Sequence, residues 1–228
     1  MFTSIQVIGR GRLGSALVER LQARGHDVRA TPAELVVLCV PDAAISGVAQ
    51  ALAEGPWICH MSGATPLAAC APHTKRFSVH PLQTFRRGGG AEQFDGAWAA
   101  VTGESAEARS KAGWLAETLG LTSFALDDEM RGLYHAGAAF ASNYLVTLHD
   151  AAARALEAAG APPEALMPLM RRTMDNGFEL TGPISRGDWT TVDAHLQALA
   201  QHLPDLEPLY RSLAEATDRR PPQDGHPL

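Results

Sequence analysis

The sequence predicts an α/β protein in which a Rossmann-like, mostly parallel sheet is followed by an all-α domain. Three observations predict this. Short, continuous apolar runs alternate with helical segments in the first half, which is typical of parallel strands covered by helices on both faces. A glycine-rich turn, GRGRLG at residues 9–14, stands between the first strand and the first helix. After Asp127 the strand signals stop, and Ala- and Leu-rich helical sequence takes over.

The elements of the first half follow from apolar patterning and turn residues. A buried strand is predicted at residues 4–8 (SIQVI), then a helix at Leu13–Arg24 with Gly25 as its C-cap. Pro41 ends a second buried strand, LVVLCV at residues 35–40, and Asp42 is expected to N-cap the next helix. Further strands are expected at residues 57–62, 77–81, 97–102 and 121–126, with a helix at Ser105–Leu119 between the last two.

The segment after residue 25 is too short for a complete dinucleotide-binding unit. HDVRA, residues 26–30, can form a strand, but the next strand begins only four residues later. A parallel crossover needs about a dozen residues or more. We therefore expect a truncated fold here: a stunted, irregular or displaced second strand, no crossover helix, and an adenosine pocket that is open or missing.

The second half is predicted to be helical, with one long helix from Asp128 to Ala159 and others near residues 162–179, 190–202 and 204–217. Pro168 is expected to kink the second helix, and Asp188 to cap the third. The predicted domains are a Rossmann-like dinucleotide-binding domain at 1–127, an all-α substrate and dimerisation domain at 128–217, and a disordered tail at 218–228. Because Ala-rich helices in so small a domain bury little core, we expect a homodimer through these helices.

Composition argues against several classes of protein. The net charge of −6 leaves no general basic field for nucleic acid or anionic lipid. No apolar run approaches the roughly 18 residues of a membrane span, and SIQVIG at residues 4–9 resembles folded structure more than a secretory leader. Three cysteines, an odd number, indicate buried thiols in a reducing cytoplasm. Cys59 and His60 are adjacent on a strand and point to opposite faces, so no metal site is expected.

The glycine-rich turn is the strongest cofactor signal. Gly9 permits a tight turn, Gly11 lets the backbone approach a pyrophosphate, and Gly14 packs the helix on the strand. The helix N-terminus adds N–H donors. The alternative is an inherited fold whose glycines now serve packing alone. The candidate cofactor-binding residues are Gly9, Arg10, Gly11, Arg12, Leu13 and Gly14 of the turn, with Arg29, Val40 and Pro41.

Arg29 bears on the choice between NAD and NADP. No acidic residue occupies the position that normally bonds the ribose hydroxyls, and Arg29 lies near the expected tip of the second strand. With Arg10 or Arg12 it favours the 2′-phosphate of NADP. The alternative is that these are solvated surface arginines.

Two polar residues follow the strand FSV at residues 77–79. His80 and Gln83 are expected at the carboxyl edge of the sheet, where open α/β sheets bind ligands. They are candidate catalytic and substrate-binding residues, and stabilising the loop 82–95 is the alternative. Arg86 and Arg87 in that loop suggest a mobile basic lid for a carboxylate, or merely a flexible surface loop. Ser62 ends another strand near the expected nicotinamide position, although a turn needs it equally.

Six segments together resemble one family: VIGRGRLGSAL, CVPD, HMSGAT, VHPLQTF, YHAGAAFASNYLV and DNGFELTGPISRGD. To about Thr217 the chain is similar to the Rossmann-like oxidoreductases whose C-terminal half is a domain of unknown function. They belong to the 6-phosphogluconate dehydrogenase-like superfamily, beside ketopantoate reductase and pyrroline-5-carboxylate reductase. The resemblance implies an all-α C-terminal domain that often dimerises, and hydride transfer to a small oxo or imino acid.

The resemblance also implies site residues on the long predicted helix. In the related reductases this helix carries a Lys general acid and an Asn that orients the substrate, and His135 and Asn143 would take those places. On one continuous helix Ser142 lies within about 20° of His135, and Asn143 about 80° away. A histidine with a pKa near neutrality can protonate a developing alkoxide. The alternative is a buried polar pair that ties helices together.

These interpretations predict a cytoplasmic NADP-dependent oxidoreductase that reduces a small carboxylate substrate. His135 or His80 would protonate the product oxygen, while Asn143 orients the substrate and Gln83, Ser142 and Ser62 contact it. Because of the shortened segment after residue 30, the alternative is a cofactor-poor, non-catalytic dimer with a binding or structural role.

Overall fold

The computed structural model describes residues 1–219, so most of the tail predicted at 218–228 lies outside the described residues. Contacts divide the chain into two compact units. The first is Met1–Ser142 and the second begins at Asn143. This division falls later in the chain than the expected boundary near Asp127.

The first unit is built on one seven-stranded sheet in the order β2-β1-β3-β4-β5-β6-β7. Every neighbouring pair is parallel except β5 and β6, which are antiparallel. The predicted Rossmann-like, mostly parallel sheet is therefore confirmed, with one reversal in direction. The strands are β1 (Ser4–Ile8), β2 (Asp27–Val28), β3 (Leu35–Leu38), β4 (Trp57–His60), β5 (Arg76–Leu82), β6 (Trp98–Gly103) and β7 (Thr122–Ala125).

Helices cover both faces of this sheet. They are α1 (Arg12–Ala23), α2 (Ile45–Gln50) and α3 (Ala106–Leu119), and a fourth helix, α4 (Arg131–Ala141), follows the last strand. One core cluster joins α1 and α3 to the sheet, and a second joins α2 to the opposite face. Leu35 and Val37 of β3 enter the first cluster, and Val36 and Leu38 enter the second. Burial on both faces explains why this strand is continuously apolar rather than alternating.

The start of α2 differs from the prediction. Asp42 does not N-cap it. Asp42 is instead the first residue of a 3₁₀ turn, Asp42–Ala44, and makes no capping hydrogen bond. Pro41 stands at the cap position of that turn, and α2 begins at Ile45 with Ala44 as its N-cap.

The shortened second strand is present as predicted. β2 has two residues, and residues 29–34 connect it to β3 on the other side of β1 without a helix. Among the described residues, the sheet ends at β2. The structure therefore contains neither the further strand nor the crossover helix on the side where a complete dinucleotide fold encloses an adenosine.

The second unit is helical, with α5 (Asn143–Ala158), α6 (Leu166–Asp175), α7 (Trp189–His202) and α8 (Glu207–Asp218). The Asp188 carboxylate accepts a hydrogen bond from the Thr191 N–H at 3.1 Å, which confirms the predicted cap of α7. The prediction that Pro168 kinks α6 is wrong, because it assumed that Pro168 lies in the helix interior. Pro168 lies in the first turn of α6, where a missing N–H costs no intrahelical bond.

The predicted long helix from Asp128 to Ala159 is broken at Ser142, which has φ −123° and ψ −73°. Its hydroxyl donates to the Ala138 carbonyl at 2.7 Å, and its N–H turns to the Ala139 carbonyl. A serine hydroxyl that bonds the carbonyl four residues back competes with the helix ladder. The angles expected between His135, Ser142 and Asn143 on one helix therefore do not apply.

Candidate functional site

The glycine-rich turn contains glycines of two physical kinds. A Cβ on Gly9, where φ is +100°, would lie 2.4 Å from the Cys39 carbonyl oxygen. A Cβ on Gly14 would lie 2.0 Å from the Gly9 oxygen. At Gly11 nothing lies within 4 Å of the added carbon. Gly9 and Gly14 are thus fixed by close packing, whereas Gly11 faces open space, as a backbone that receives a pyrophosphate requires.

The first turn of α1 offers hydrogen-bond donors beside that space. Gly11 is the N-cap residue, no side chain caps the helix, and the first turn contains no acidic residue. The first N–H groups of a helix have no partner within it. Arg10 and Arg12 are exposed on either side of Gly11. The turn therefore has the donors and the charge that suit a bound phosphate.

One edge of the sheet brings several candidate residues together. Ile8, Leu38, His60 and Ser78 are register partners across β1, β3, β4 and β5. With about 4.8 Å between strands, this row spans roughly 14 Å. Just beyond the row come the glycine turn after β1, Val40–Pro41 after β3, Ser62 after β4 and His80 in β5. The glycine turn, Val40–Pro41, Ser62 and His80 therefore share an edge of the sheet.

A pocket of about 400 Å³ lies beside α1. Gln83 lines it together with Arg12, Thr84, Phe85, Arg86 and Gln93. Gln83 thus lies near the glycine turn, and two arginines give the pocket positive charge.

The loop expected to act as a mobile lid is tied down in the structure. The Arg20 guanidinium donates to the Ala91 carbonyl at 2.5 Å and to Asp95 at 2.6 Å. The Gln93 amide oxygen accepts from the Arg86 N–H at 2.7 Å. These bonds fasten the loop to α1 and to itself, so the structure does not support the lid.

Arg29 is paired within the chain. Its guanidinium forms a salt bridge with Asp27, and both side chains are about half exposed. Selection of a 2′-phosphate by Arg29 would require this pair to open, and the role stays a prediction.

His80 meets two residues of α4 around Gly63. The Nδ1 atom of His80 lies 2.7 Å from the Tyr134 hydroxyl, and the centroids of the His80 and His135 rings are 6.0 Å apart. A Cβ on Gly63 would lie 2.7 Å from His80 Cε1 and 2.9 Å from His135 Cδ2. The two predicted histidines therefore come together, and only a glycine fits between them. Tyr134 was not among the predicted site residues, although it directly precedes His135 in the motif YHAGAAF.

A buried arginine fixes α4 against the sheet edge. Arg131 is 2% exposed and donates to Asp128 at 2.5 Å, to the Ser62 carbonyl at 3.2 Å and to the Ser78 hydroxyl. Asp128 in turn accepts from the Leu67 N–H at 3.0 Å. A buried charge is tolerated when it is paired and fully hydrogen-bonded, as here. The network joins α4 to β5 and to the turn after β4, and no sequence pattern predicts it.

Burial keeps two histidines of this edge neutral. It lowers the pKa of His80 to about 4, and His135 and Arg131 add to the effect. Burial and the charge of Arg131 likewise lower the pKa of His60 to about 3. The Ser62 N–H donates to His60 Nδ1 at 3.3 Å, and His60 Nε2 has no partner among the described residues. At neutral pH His80 therefore carries no charge, so it does not fit the predicted alternative in which His80 protonates the product as a cationic acid.

The remaining predicted residues are placed as follows. The Ser62 hydroxyl accepts from the Thr65 N–H at 3.0 Å, so it closes the turn after β4. Ser142 ends the first unit and Asn143 begins the second, and their substrate roles stay predictions. Within the described residues, no group of three or more His, Cys, Asp or Glu side chains could hold a metal ion. No helix of residues 1–219 is long and apolar enough to cross a membrane.

Comparisons with known proteins agree with this architecture. A candidate NADP oxidoreductase from Bacteroides fragilis superposes with a TM-score of 0.80 at 23% identity, over 96% of this chain and 98% of that one. A Thermotoga maritima protein gives 0.72 at 25% identity, over 94% and 100%. The 1-pyrroline-5-carboxylate reductase of Streptococcus pyogenes gives 0.59 at 16% identity, over 95% and 98%.

Sequence comparison identifies the family. A search of the curated proteins gave no match. The family model for a domain of unknown function, DUF2520, matches residues 97–217, more than half of the chain. The chain therefore belongs to the DUF2520 family, and its fold is the Rossmann-like fold of these solved structures.

Proposed function

We propose that the protein is an NADP-dependent oxidoreductase that reduces a small oxo or imino acid. The observation that carries the proposal is the glycine cradle. This cradle is the turn Gly9–Gly14. Backbone atoms occupy the space where a Cβ on Gly9 or Gly14 would lie, whereas the space at Gly11 is open. The turn shares a sheet edge with His80. The name of the Bacteroides fragilis protein supports the cofactor, and that of the Streptococcus pyogenes reductase supports the substrate class.

The residues of the first unit would bind different parts of the cofactor. The N–H groups at the start of α1, with Arg10 and Arg12, would hold the pyrophosphate. The cofactor, when bound, supplies a hydride. Val40 and Pro41 would border it, and Arg29 would contact a 2′-phosphate after leaving Asp27.

The substrate would lie toward β4 and β5. His80 or His135 would donate a hydrogen bond or a proton to the oxygen of an oxo acid or the nitrogen of an imino acid. Gln83 lies beside Arg12 and Arg86, which suit a carboxylate. From the family resemblance, Ser142 and Asn143 would also contact the substrate.

The test is consumption of NADPH in the presence of small 2-oxo acids, ketopantoate included, and of cyclic imino acids. We expect oxidation with at least one of them. Replacing the histidine that donates a hydrogen bond or a proton to the substrate, by His80→Ala or His135→Ala, should lower kcat about 10²- to 10⁴-fold. If NADPH binds but none of these compounds is reduced, the substrate class is wrong. If no nicotinamide cofactor binds to the folded protein, the non-catalytic alternative is favoured.

We also propose a homodimer formed by the second unit. Large apolar side chains remain exposed there, with Val146 61%, Leu169 64% and Phe178 53% accessible. Contiguous exposed apolar surface marks interaction sites, and these side chains would form such a surface in the dimer. Light scattering at micromolar concentration should give twice the monomer mass, and a strictly monomeric mass would refute the dimer.

A further inference from the structure

We propose that Tyr134 is a positioning residue that holds His80 in the tautomer with its hydrogen on Nε2, so that His80 acts as a neutral hydrogen-bond donor to the substrate oxygen. The identity of that substrate rests on the proposed function. The tautomer is a property of this chain alone and can be measured without cofactor or substrate.

The contact between the two side chains is short and well oriented. The Tyr134 oxygen lies 2.7 Å from His80 Nδ1, and the two rings are at 87° to each other. A tyrosine hydroxyl has a single hydrogen. Among the described residues, Nδ1 of His80 is the only acceptor recorded for that hydrogen. When the hydroxyl donates to Nδ1, the hydrogen of the neutral imidazole must be on Nε2.

The protonation states of Tyr134 and His80 agree with a hydrogen bond that the Tyr134 hydroxyl donates to His80 Nδ1. Burial raises the pKa of Tyr134 to about 12, so the phenol keeps its hydrogen. Burial lowers the pKa of His80 to about 4, so one ring nitrogen keeps its lone pair. The charged and titratable groups that act on His80 are His135 and Arg131, which lower its pKa, and Asp42, which raises it. His60, on the neighbouring strand, also interacts with His80 and is itself neutral.

The surroundings of the pair restrict its motion. Tyr134 packs edge-on against Phe124, with centroids 5.9 Å apart, and Arg131 fixes α4 one turn earlier. Gly63 lies against the Cε1–Nδ1 edge of the His80 ring. Nε2 of His80 is not among the buried polar atoms without a partner, and the described residues supply no bond to it. This leaves Nε2 as the ring nitrogen available to a ligand.

This arrangement assigns different tasks to the two histidines. A neutral imidazole can polarise a carbonyl oxygen by donating a hydrogen bond, without carrying a charge. His80 then has no role as a cationic acid, and protonation of the product is left to His135.

The experiment is two-bond ¹H–¹⁵N NMR of the full-length protein labelled with ¹⁵N-histidine, because these spectra distinguish the two neutral tautomers and the cation. His80→Gln assigns the His80 signals. The proposal predicts a hydrogen on Nε2 and an accepting Nδ1, unchanged from about pH 5.5 to about pH 8. The Tyr134→Phe variant lacks the hydroxyl that donates to His80 Nδ1. In this variant the His80 Nδ1 signal should shift toward the value of an imidazole that exchanges between its two neutral tautomers.

A hydrogen on Nδ1 in the wild-type protein would overturn the proposal, as would titration of His80 near pH 6.5. If Tyr134→Phe does not fold, the wild-type spectrum decides alone. These outcomes do not depend on NADPH, so failure of the proposed function would be seen separately.

Once a substrate is identified, kinetics add a second readout. Tyr134→Phe should lower kcat roughly 10- to 100-fold, the range for partners that orient a functional histidine, with an unchanged KM for NADPH. An unchanged kcat would contradict a positioning role for Tyr134.

Discussion

The substitution Gly63→Ala tests whether the spacing between the two histidines matters. The φ of Gly63 is not positive, so alanine can adopt its backbone conformation. The added carbon would lie 2.7 Å from His80 Cε1, 2.9 Å from His80 Nδ1 and 2.9 Å from His135 Cδ2. Carbon atoms pack favourably at about 3.5–4.0 Å, so the rings must retreat by roughly 0.8 Å. A shift of that size lengthens or misaligns the 2.7 Å bond between His80 and Tyr134.

The expected loss has a kinetic part and a stability part. A misplacement of about 1 Å near the chemistry costs on the order of 10²-fold in rate. Overpacking should lower the free energy of unfolding by about 1–3 kcal/mol. Urea denaturation measures the second quantity, and NADPH oxidation measures the first once a substrate is known. The histidine NMR spectrum reports the ring shift directly.

Gly113→Ala provides the matched control. Gly113 lies within α3, and nothing is within 4 Å of its added carbon. Removing a helical glycine there should raise stability by up to about 1 kcal/mol and leave the histidine signals unchanged. If Gly63→Ala has wild-type stability and wild-type His80 signals, the packing argument is refuted.

Three further predictions concern stability and are each measured by urea denaturation. The pKa values of His60 and His80, about 3 and about 4, lie below the unfolded value, so the unfolded chain takes up protons first as the pH falls. The free energy of unfolding should therefore decrease as the pH falls from about 6.5 to about 4, by on the order of 1.4 kcal/mol per pH unit for each histidine. A free energy of unfolding that does not change over this range would contradict the burial of the two histidines as neutral groups. Gly14→Ala places a carbon 2.0 Å from the Gly9 oxygen and should cost about 3 kcal/mol or more, so wild-type stability would show that this close approach is not needed. Arg131→Met leaves its buried partners without a donor and should cost about 3 kcal/mol, with a smaller loss for the lysine variant; equal losses would indicate that the hydrogen-bond geometry is unimportant.

Local features of the sequence predicted much of the first unit. The turn at Gly9–Gly14 depends on close backbone contacts that only glycine permits. The short connection before β3 left no residues for a crossover helix, and the structure has none. His80 was expected just after the strand FSV, near the carboxyl edge; β5 continues to Leu82, so His80 lies within the strand near its carboxyl end.

The features that sequence reasoning missed depend on tertiary contacts. A buried apolar strand carries no signal of its direction, so the antiparallel pairing of β5 and β6 was not predicted. Arg131 is indistinguishable in sequence from a surface arginine, because its partners Ser62 and Ser78 are distant in the chain. The break at Ser142 arises when a hydroxyl competes with the backbone, which the helical pattern around it concealed.

The most direct test of the account is calorimetric titration of the protein with NADPH, for the wild type and for Gly11→Asp. Gly11 is the N-cap of α1 and faces open space, so an aspartate there should preserve or increase stability. Its carboxylate would take the helix N–H donors and repel a pyrophosphate. Gly113→Asp carries the same charge on α3 and serves as the control. We expect micromolar binding to the wild type and to the control, and loss of binding in Gly11→Asp. Absence of binding to the folded wild type, or equal binding to Gly11→Asp, would contradict it.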